Sequence, residues 1–248
     1  MTENATNTMG ATSAGATDAK DAPTPTPPFD TFIFDLDGTL LDTLDDLVVL
    51  TNDVLAEFDM PQHTSEEINS YVGNGAKALI YQAVPEGTPQ DVADAALARW
   101  KEAYDVYPND LTKPYPGIVD MLAELHRRGC KVGVLSNKFD GGVQFIMNKC
   151  LPGAVDVQHG EDIANGFIRK PDPHGLLTVI AELGSTPERT VYIGDSPGDI
   201  HAARNAGTYA VGVTWGYHDP LDFHTAGWEP DVLATGTAQI LALAPAKA

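Results

Sequence analysis

The chain has 248 residues, 43% of them hydrophobic, enough to bury one large domain or a core with an insert. A formal net charge of −20 and a pI near 4.4 argue against a nucleic-acid backbone or an anionic membrane surface as partner, since either would be repelled. An anionic substrate has to be caught locally, by divalent cations at carboxylate clusters or by a few placed Lys and Arg side chains.

Residues 1–28 are rich in Thr, Ala and Pro, with Lys20 their only cation and no hydrophobic block. They lack the plan of a signal peptide and predict a disordered leader. No apolar run approaches the roughly 18 residues that span a bilayer. Cys130 and Cys150 are too few for a disulfide framework and lack zinc spacing, so both are expected as buried thiols in a reducing compartment. A cytoplasmic protein follows, expected as a monomer or homodimer.

Folding signals begin at Phe29. Thr31-Phe32-Ile33-Phe34 is short, aromatic and β-branched, as a buried strand is, and it ends in Asp35-Leu36-Asp37-Gly38. From Thr43 the period becomes helical, with Leu44, Leu47, Val48, Leu55 and Phe58 at helix spacing and a stop at Pro61. Further helices are predicted over 65–71, 76–84 and 90–107, with Gly and Pro at the joins and no convincing strand. Residues 43–112 therefore read as an all-helical insert in a core made of 29–42 and 113–248.

After Pro114 and Pro116-Gly117 the chain alternates: helix 118–128, strand 131–135, helix 142–149, a weak strand at 155–157, helix 174–183, strand 190–193, helix 198–205 and strand 209–213. A last strand and helix are predicted over 231–234 and 238–244. Such alternation implies an α/β fold, a Rossmann-like parallel sheet covered by helices on both faces. Ligands bind these sheets beyond the carboxyl ends of the strands.

Those ends carry Asp35 with Asp37, then Ser136-Asn137-Lys138, then Gly194-Asp195-Ser196-Pro197-Gly198-Asp199. Lys170, followed by Pro171-Asp172-Pro173, lies between the weak strand and the next helix. Each group alone also fits a solvated turn, a helix cap or a surface lysine. Their order after successive strands singles them out. Asp-x-Asp-Gly-Thr, Ser-Asn-Lys, Lys-Pro-Asp-Pro and Gly-Asp-Ser-x-x-Asp, in that order, resemble the four motifs of the haloacid dehalogenase-like superfamily, and the match spans Phe29 to about Val213.

The resemblance implies a magnesium-dependent phosphohydrolase with a mobile cap. Asp35 is the expected nucleophile, and a hard cation is needed between it and the phosphate to neutralise two anions. Asp195 and Asp199 are expected to complete the magnesium site, and the resemblance adds the Asp37 backbone carbonyl. Asp37 is the expected acid for the leaving alkoxide and then the base for water. Ser136, the Asn137 N–H and Lys170 would hold the phosphoryl oxygens. Dehalogenases and phosphonate-cleaving members of the superfamily lack an acid at the Asp37 position, so Asp37 points to a phosphate ester or anhydride.

The insert holds 13 Asp and Glu against Lys77, Arg99 and Lys101. Its segment Gly73-Asn74-Gly75, followed by Lys77, resembles the cap of phosphoglycolate phosphatases and implies a small phosphorylated metabolite as substrate. The expected substrate contacts are Thr39, Asn137 and Lys138 in the core and Gly73, Asn74, Gly75 and Lys77 in the insert, with Lys77 reading a substrate carboxylate. A phosphosugar mutase, a pyrophosphatase or a nucleotidase would share the core motifs, and so would a regulatory member without turnover. The seven histidines show no metal spacing, and Trp215-Gly216-Tyr217 through Trp228 is expected to pack a loop at the core's edge.

Overall fold

The computed structural model of the protein describes residues 29–224 and 228–246. The leader expected over 1–28 lies outside the described residues. A six-stranded parallel sheet is built from β1 (Thr31–Phe34), β4 (Lys131–Phe139), β5 (Val157–Glu161), β6 (Thr190–Gly194), β7 (Tyr209–Val213) and β8 (Val232–Ala234). Its spatial order is β5-β4-β1-β6-β7-β8. The chain builds outward from β1 to β5 and then returns to the other side of β1. That reversal opens a crevice at the carboxyl ends of β1, β4 and β6.

Alternation along β1 feeds two cores. Phe32 and Phe34 point to one face, among α5 (Ile118–Arg127), α6 (Asp140–Cys150) and α9 (Thr237–Leu241). Ile33 points to the other, among α7 (His174–Glu182) and α8 (Pro197–Ala206). Cys130 is buried and Cys150, expected to be so, is half-buried; both are free thiols.

Between β1 and α5 the chain forms α1 (Leu44–Glu57), α2 (Ser65–Tyr71), α3 (Gly75–Ala83) and α4 (Gln90–Tyr104). These helices enclose a third cluster of their own, centred on Leu50, Leu55, Ile68, Ile80 and Trp100, with Phe139 and Phe145 of the core packed against it. Each such side chain contributes about 1.5–3 kcal/mol on burial. Sequence reading missed a two-residue ladder, β2 (Leu41–Asp42) antiparallel to β3 (Lys113–Pro114), which ties the chain's exit from the core to its re-entry.

Two strands differ from expectation. The weak strand of 155–157 sits at Val157–Glu161, and β4 continues through Ser136-Asn137-Lys138 to Phe139. A register shift between Leu135 and Phe139 lets the chain bulge while Phe139 still pairs with Glu161, so the second motif lies inside the strand. Among the described residues no helix is long and apolar enough to cross a membrane.

Candidate active site

Three sequence-predicted acids converge at the crevice. Asp35 ends β1, Asp195 ends β6 and Asp199 lies in the first turn of α8; each offers an oxygen within 4.8 Å of the others, and all three are buried. Lys170 Nζ sits between them, 2.8 Å from Asp35 Oδ1 and 2.6 Å from Asp199 Oδ1, with its side chain 3% exposed. Among the described residues Lys170 is the partner of Asp35 Oδ1, and no other donor reaches that oxygen. Burial pushes the Asp35 carboxyl up; Lys170 opposes the shift, and the Asp199 and Asp195 charges reinforce it.

Asp199 is spent on the protein. Its Oδ1 accepts from Lys170 and, at 3.3 Å, from the Tyr192 hydroxyl. Its Oδ2 accepts from Ser196 N–H at 3.0 Å and Ser196 Oγ at 2.6 Å, closing the capping box of α8. Asp199, expected among the metal ligands, is one of the three clustered carboxylates and also holds Lys170 and the helix start. Asp195 is held more openly, by Thr39 Oγ1 at 3.2 Å on Oδ1 and by the Tyr217 N–H at 2.8 Å on Oδ2. Thr39, expected to meet substrate, is 1% exposed and takes this supporting place instead.

Close backbone approach fixes Asp195. A Cβ on Gly38, whose φ is +81°, would fall 2.3 Å from Asp195 Oδ2, and one on Gly216 would fall 2.3 Å from Asp195 Cβ. Only glycine fits at either place.

Asp37 stands across the cleft. Lys138 Nζ lies 3.1 Å from its Oδ1 and 3.2 Å from its Oδ2, and Thr43 Oγ1 donates to Oδ1 at 2.6 Å. Lys138, an expected substrate contact, lines the cleft; it is buried, pairs with Asp37 and sits 4.9 Å from the Tyr104 ring centroid. Burial pulls the Lys138 ammonium down, but the Asp37 charge outweighs it and the net direction is up.

Asp35, Asp37, Asp195 and Asp199 face two ammonium groups, Lys138 and Lys170, and the His218 ring, 3.7 Å from Asp195 Oδ2, so that carboxylates outnumber the cationic groups around them. With three buried carboxylates offering oxygens within 4.8 Å of one another and an all-oxygen donor set, the residues fit a hard cation such as magnesium.

Ser136 and Asn137 line the cleft, as does Gly73 with Gly75 from the insert. The Asn137 side chain links the two halves: Nδ2 donates to Gly73 O at 2.8 Å and Oδ1 accepts from Lys170 N at 2.7 Å. Asn74 is exposed; its carbonyl accepts from Arg169, and it borders a second hollow beside the start of α8. Lys77 departs from expectation. It is exposed, its Nζ lies 5.0 Å from the Tyr81 ring centroid, and it does not line the cleft.

The insert instead offers an apolar wall, Leu47, Val72, Ala76, Leu79 and Trp100, joined by Phe139 of the core. The cleft between this wall and the carboxylates is open to solvent on one side. Sequence reading also missed Trp215 to His218, which follow β7 at the same edge of the sheet. Trp215 Nε1 donates to Thr39 O at 3.1 Å, and Tyr217 and His218 line the cleft. Their place after a strand that ends in the crevice is the signal that could have found them.

Residues 32–213 match the family model described as haloacid dehalogenase-like hydrolase. The chain is 34% identical over 193 residues to phosphoglycolate phosphatase 1 of Pseudomonas aeruginosa, covering 75% of this chain and 70% of that one. It is 35% identical to a phosphoglycolate phosphatase of Caulobacter vibrioides, covering 77% and 82%. An N-acetylmuramic acid 6-phosphate phosphatase of Pseudomonas aeruginosa is 30% identical over 84% of this chain and 92% of that one. Among solved structures, one from Haemophilus somnus, described as a predicted phosphoglycolate phosphatase, superposes with a TM-score of 0.78 at 27% identity, covering 87% of this chain and 98% of that one. Sequence, sheet order and the clustered aspartates agree: the chain belongs to the haloacid dehalogenase-like hydrolases.

Proposed function

We propose that this protein is a magnesium-dependent phosphatase that hydrolyses a small phosphate monoester through an aspartyl-phosphate on Asp35, with 2-phosphoglycolate as substrate. The observation that carries it is the buried group of Asp35, Asp195 and Asp199 with Lys170 inserted among them, facing Asp37 across the cleft. The relatives named phosphoglycolate phosphatase point to the substrate.

In this reading Asp35 Oδ attacks phosphorus, the ester P–O bond breaks, and Asp37 gives its proton to the departing alkoxide. Asp37 then takes a proton from a water whose oxygen attacks phosphorus, releasing phosphate and free Asp35. Ser136 and Lys170 hold the phosphoryl oxygens, and Lys170 keeps Asp35 in place. Asp35, Asp195 and the Asp37 backbone carbonyl would hold the magnesium ion, with Asp199 positioning Lys170. The ion's chemistry is to screen the nucleophile and the phosphoryl oxygens from each other. Residues 43–112 act as the cap that shuts out water over a core of 29–42 and 113–248.

Because no Lys or Arg of the insert lines the cleft, a substrate carboxylate would meet the backbone around Gly73 and Gly75 and the His218 ring. The test is phosphate release from a panel of small esters with magnesium. Turnover of 2-phosphoglycolate above sugar phosphates, nucleotides and pyrophosphate, abolished in Asp35→Asn, is expected. Preference for a bulky sugar phosphate or for pyrophosphate would overturn the substrate assignment, and no turnover of any ester would overturn the enzyme reading.

A further inference from the structure

We propose that Tyr217 is a positioning residue for the acid–base carboxylate, its hydroxyl completing a hydrogen-bond relay through Thr43 to Asp37 where the chain leaves the core for the helical insert. The inference rests on the acid–base reading of Asp37. Tyr217 is anchored at one end by its N–H, which donates to Asp195 Oδ2 at 2.8 Å. At the other end its hydroxyl accepts from the Thr43 N–H at 2.6 Å.

The direction of the relay follows from counting protons. Thr43 Oγ1 donates its single proton to Asp37 Oδ1 at 2.6 Å. The 3.1 Å contact between the Tyr217 and Thr43 hydroxyls must then run from Tyr217 to Thr43. Two other groups stand near this hydroxyl: Asp42 Oδ1, farther at 3.4 Å and on an exposed side chain, and the Tyr115 hydroxyl, which has a proton of its own to donate to Tyr217. Tyr217 therefore orients Thr43, and Thr43 with Lys138 occupies Asp37 Oδ1. Oδ2, contacted only by Lys138 Nζ among the protein's hydrogen bonds, is the oxygen left to exchange a proton with the leaving group.

Both ends of the relay are rigid. Thr43 is buried and directly follows the β2–β3 ladder that ties the two crossings between core and insert. The Tyr217 loop is pressed on Asp195 through Gly216 and pinned by Trp215 Nε1 on Thr39 O. The phenol thus couples the cation-binding end of the site and the hinge to the group that moves protons.

The experiment compares kcat/KM for an alkyl ester, 2-phosphoglycolate, with that for p-nitrophenyl phosphate, whose leaving group departs without a proton. Asp37→Asn is the reference for loss of general acid catalysis, typically about 100-fold or more. Tyr217→Phe, which removes one oxygen, is expected to lose about tenfold on the alkyl ester and under about twofold on the aryl ester. Thr43→Val should show the same selective loss, Thr43→Ser should recover the alkyl-ester rate, and the double variant Tyr217→Phe/Thr43→Val should be no worse than the poorer single one. Equal losses on both esters in Tyr217→Phe, or additive losses in the double variant, would overturn the relay while leaving the reading of Asp37 intact. If Asp37→Asn itself loses equally on both esters, the acid–base reading fails and the relay fails with it.

Discussion

Replacing Asp35 by Asn is expected to abolish turnover and yet stabilise the fold when no cation is bound. Asp35 is buried beside two further carboxylates, and Lys170 is the group that opposes the crowding. Burial carries its carboxyl from 3.8 to about 8. Each pKa unit corresponds to about 1.4 kcal/mol between protonation states, so by pH 7 the folded protein bears a penalty approaching about 4 kcal/mol. The Lys170 contact is already contained in that value, so Asn escapes the penalty with a net gain on the order of a few kcal/mol, which raises Tm by several degrees for a chain of this size. The sign with pH is fixed by linkage. Between the two pKa values the folded protein binds more protons than the unfolded chain, so wild-type stability falls as pH rises through that window. The Asn variant escapes this loss, so its advantage is small near pH 4 and grows toward pH 8. Thermal unfolding followed by circular dichroism in EDTA across that range measures it. Magnesium at about 100 times its Kd should add about 2.7 kcal/mol to the wild type and little to the variant, closing the gap. A variant that melts below the wild type at pH 7 in EDTA, or a gap that is flat with pH, would refute the reasoning.

Lys170→Met removes the one ammonium that Asp35 and Asp199 share, and breaking a buried pairing of this kind costs about 3–5 kcal/mol. Equilibrium urea unfolding should show that loss, and kcat should fall about 1,000-fold. Gly216→Ala drives a methyl into Asp195, so calorimetry should report magnesium affinity at least about tenfold weaker while the circular dichroism spectrum stays native. Lys77→Ala, outside the cleft, should leave KM for 2-phosphoglycolate within about twofold; a rise of about tenfold or more would return Lys77 to the substrate site.

The parts of the fold legible in the sequence are those whose cause is local. Phe32 and Phe34 against Ile33 follow from alternation within four residues, and α2 is marked by its Thr64 to Glu67 capping box. The continuation of β4 through Ser136-Asn137-Lys138 is not local, because it depends on Phe139 pairing with Glu161 after a bulge. The site divides in the same way. Asp35, Asp195 and Ser136 are legible because each sits on or next to a strand that delivers it to the crevice. The pairing of Lys138 with Asp37 is not legible, because the two lie 101 residues apart. Lys77 was misplaced although the signal was present. Ala76, Leu79, Ile80 and Ala83 form the buried stripe of α3 at helix spacing, and Lys77, one residue past Ala76, is turned about 100° off that stripe.

The net charge of −20 poses the question of how such a protein draws in a phosphate dianion, and the site answers it by elimination. Lys138 and Lys170 are the ammonium groups within reach, and both are committed to carboxylates, Lys138 to Asp37 and Lys170 to Asp35 and Asp199. Neither has charge to spare for a ligand until a cation offsets the aspartates around it. The wall supplied by the insert is apolar, so it lowers the local dielectric without adding attraction. A divalent cation bound here would have two effects. It would offset the surplus of the aspartate cluster, and by doing so free the field of Lys170 to act on the phosphoryl oxygens. Substrate affinity and the chemical step would then depend on the same ion, and the acidic surface elsewhere on the molecule would repel anions without defeating capture, because beyond about 8–10 Å its field is screened by physiological salt.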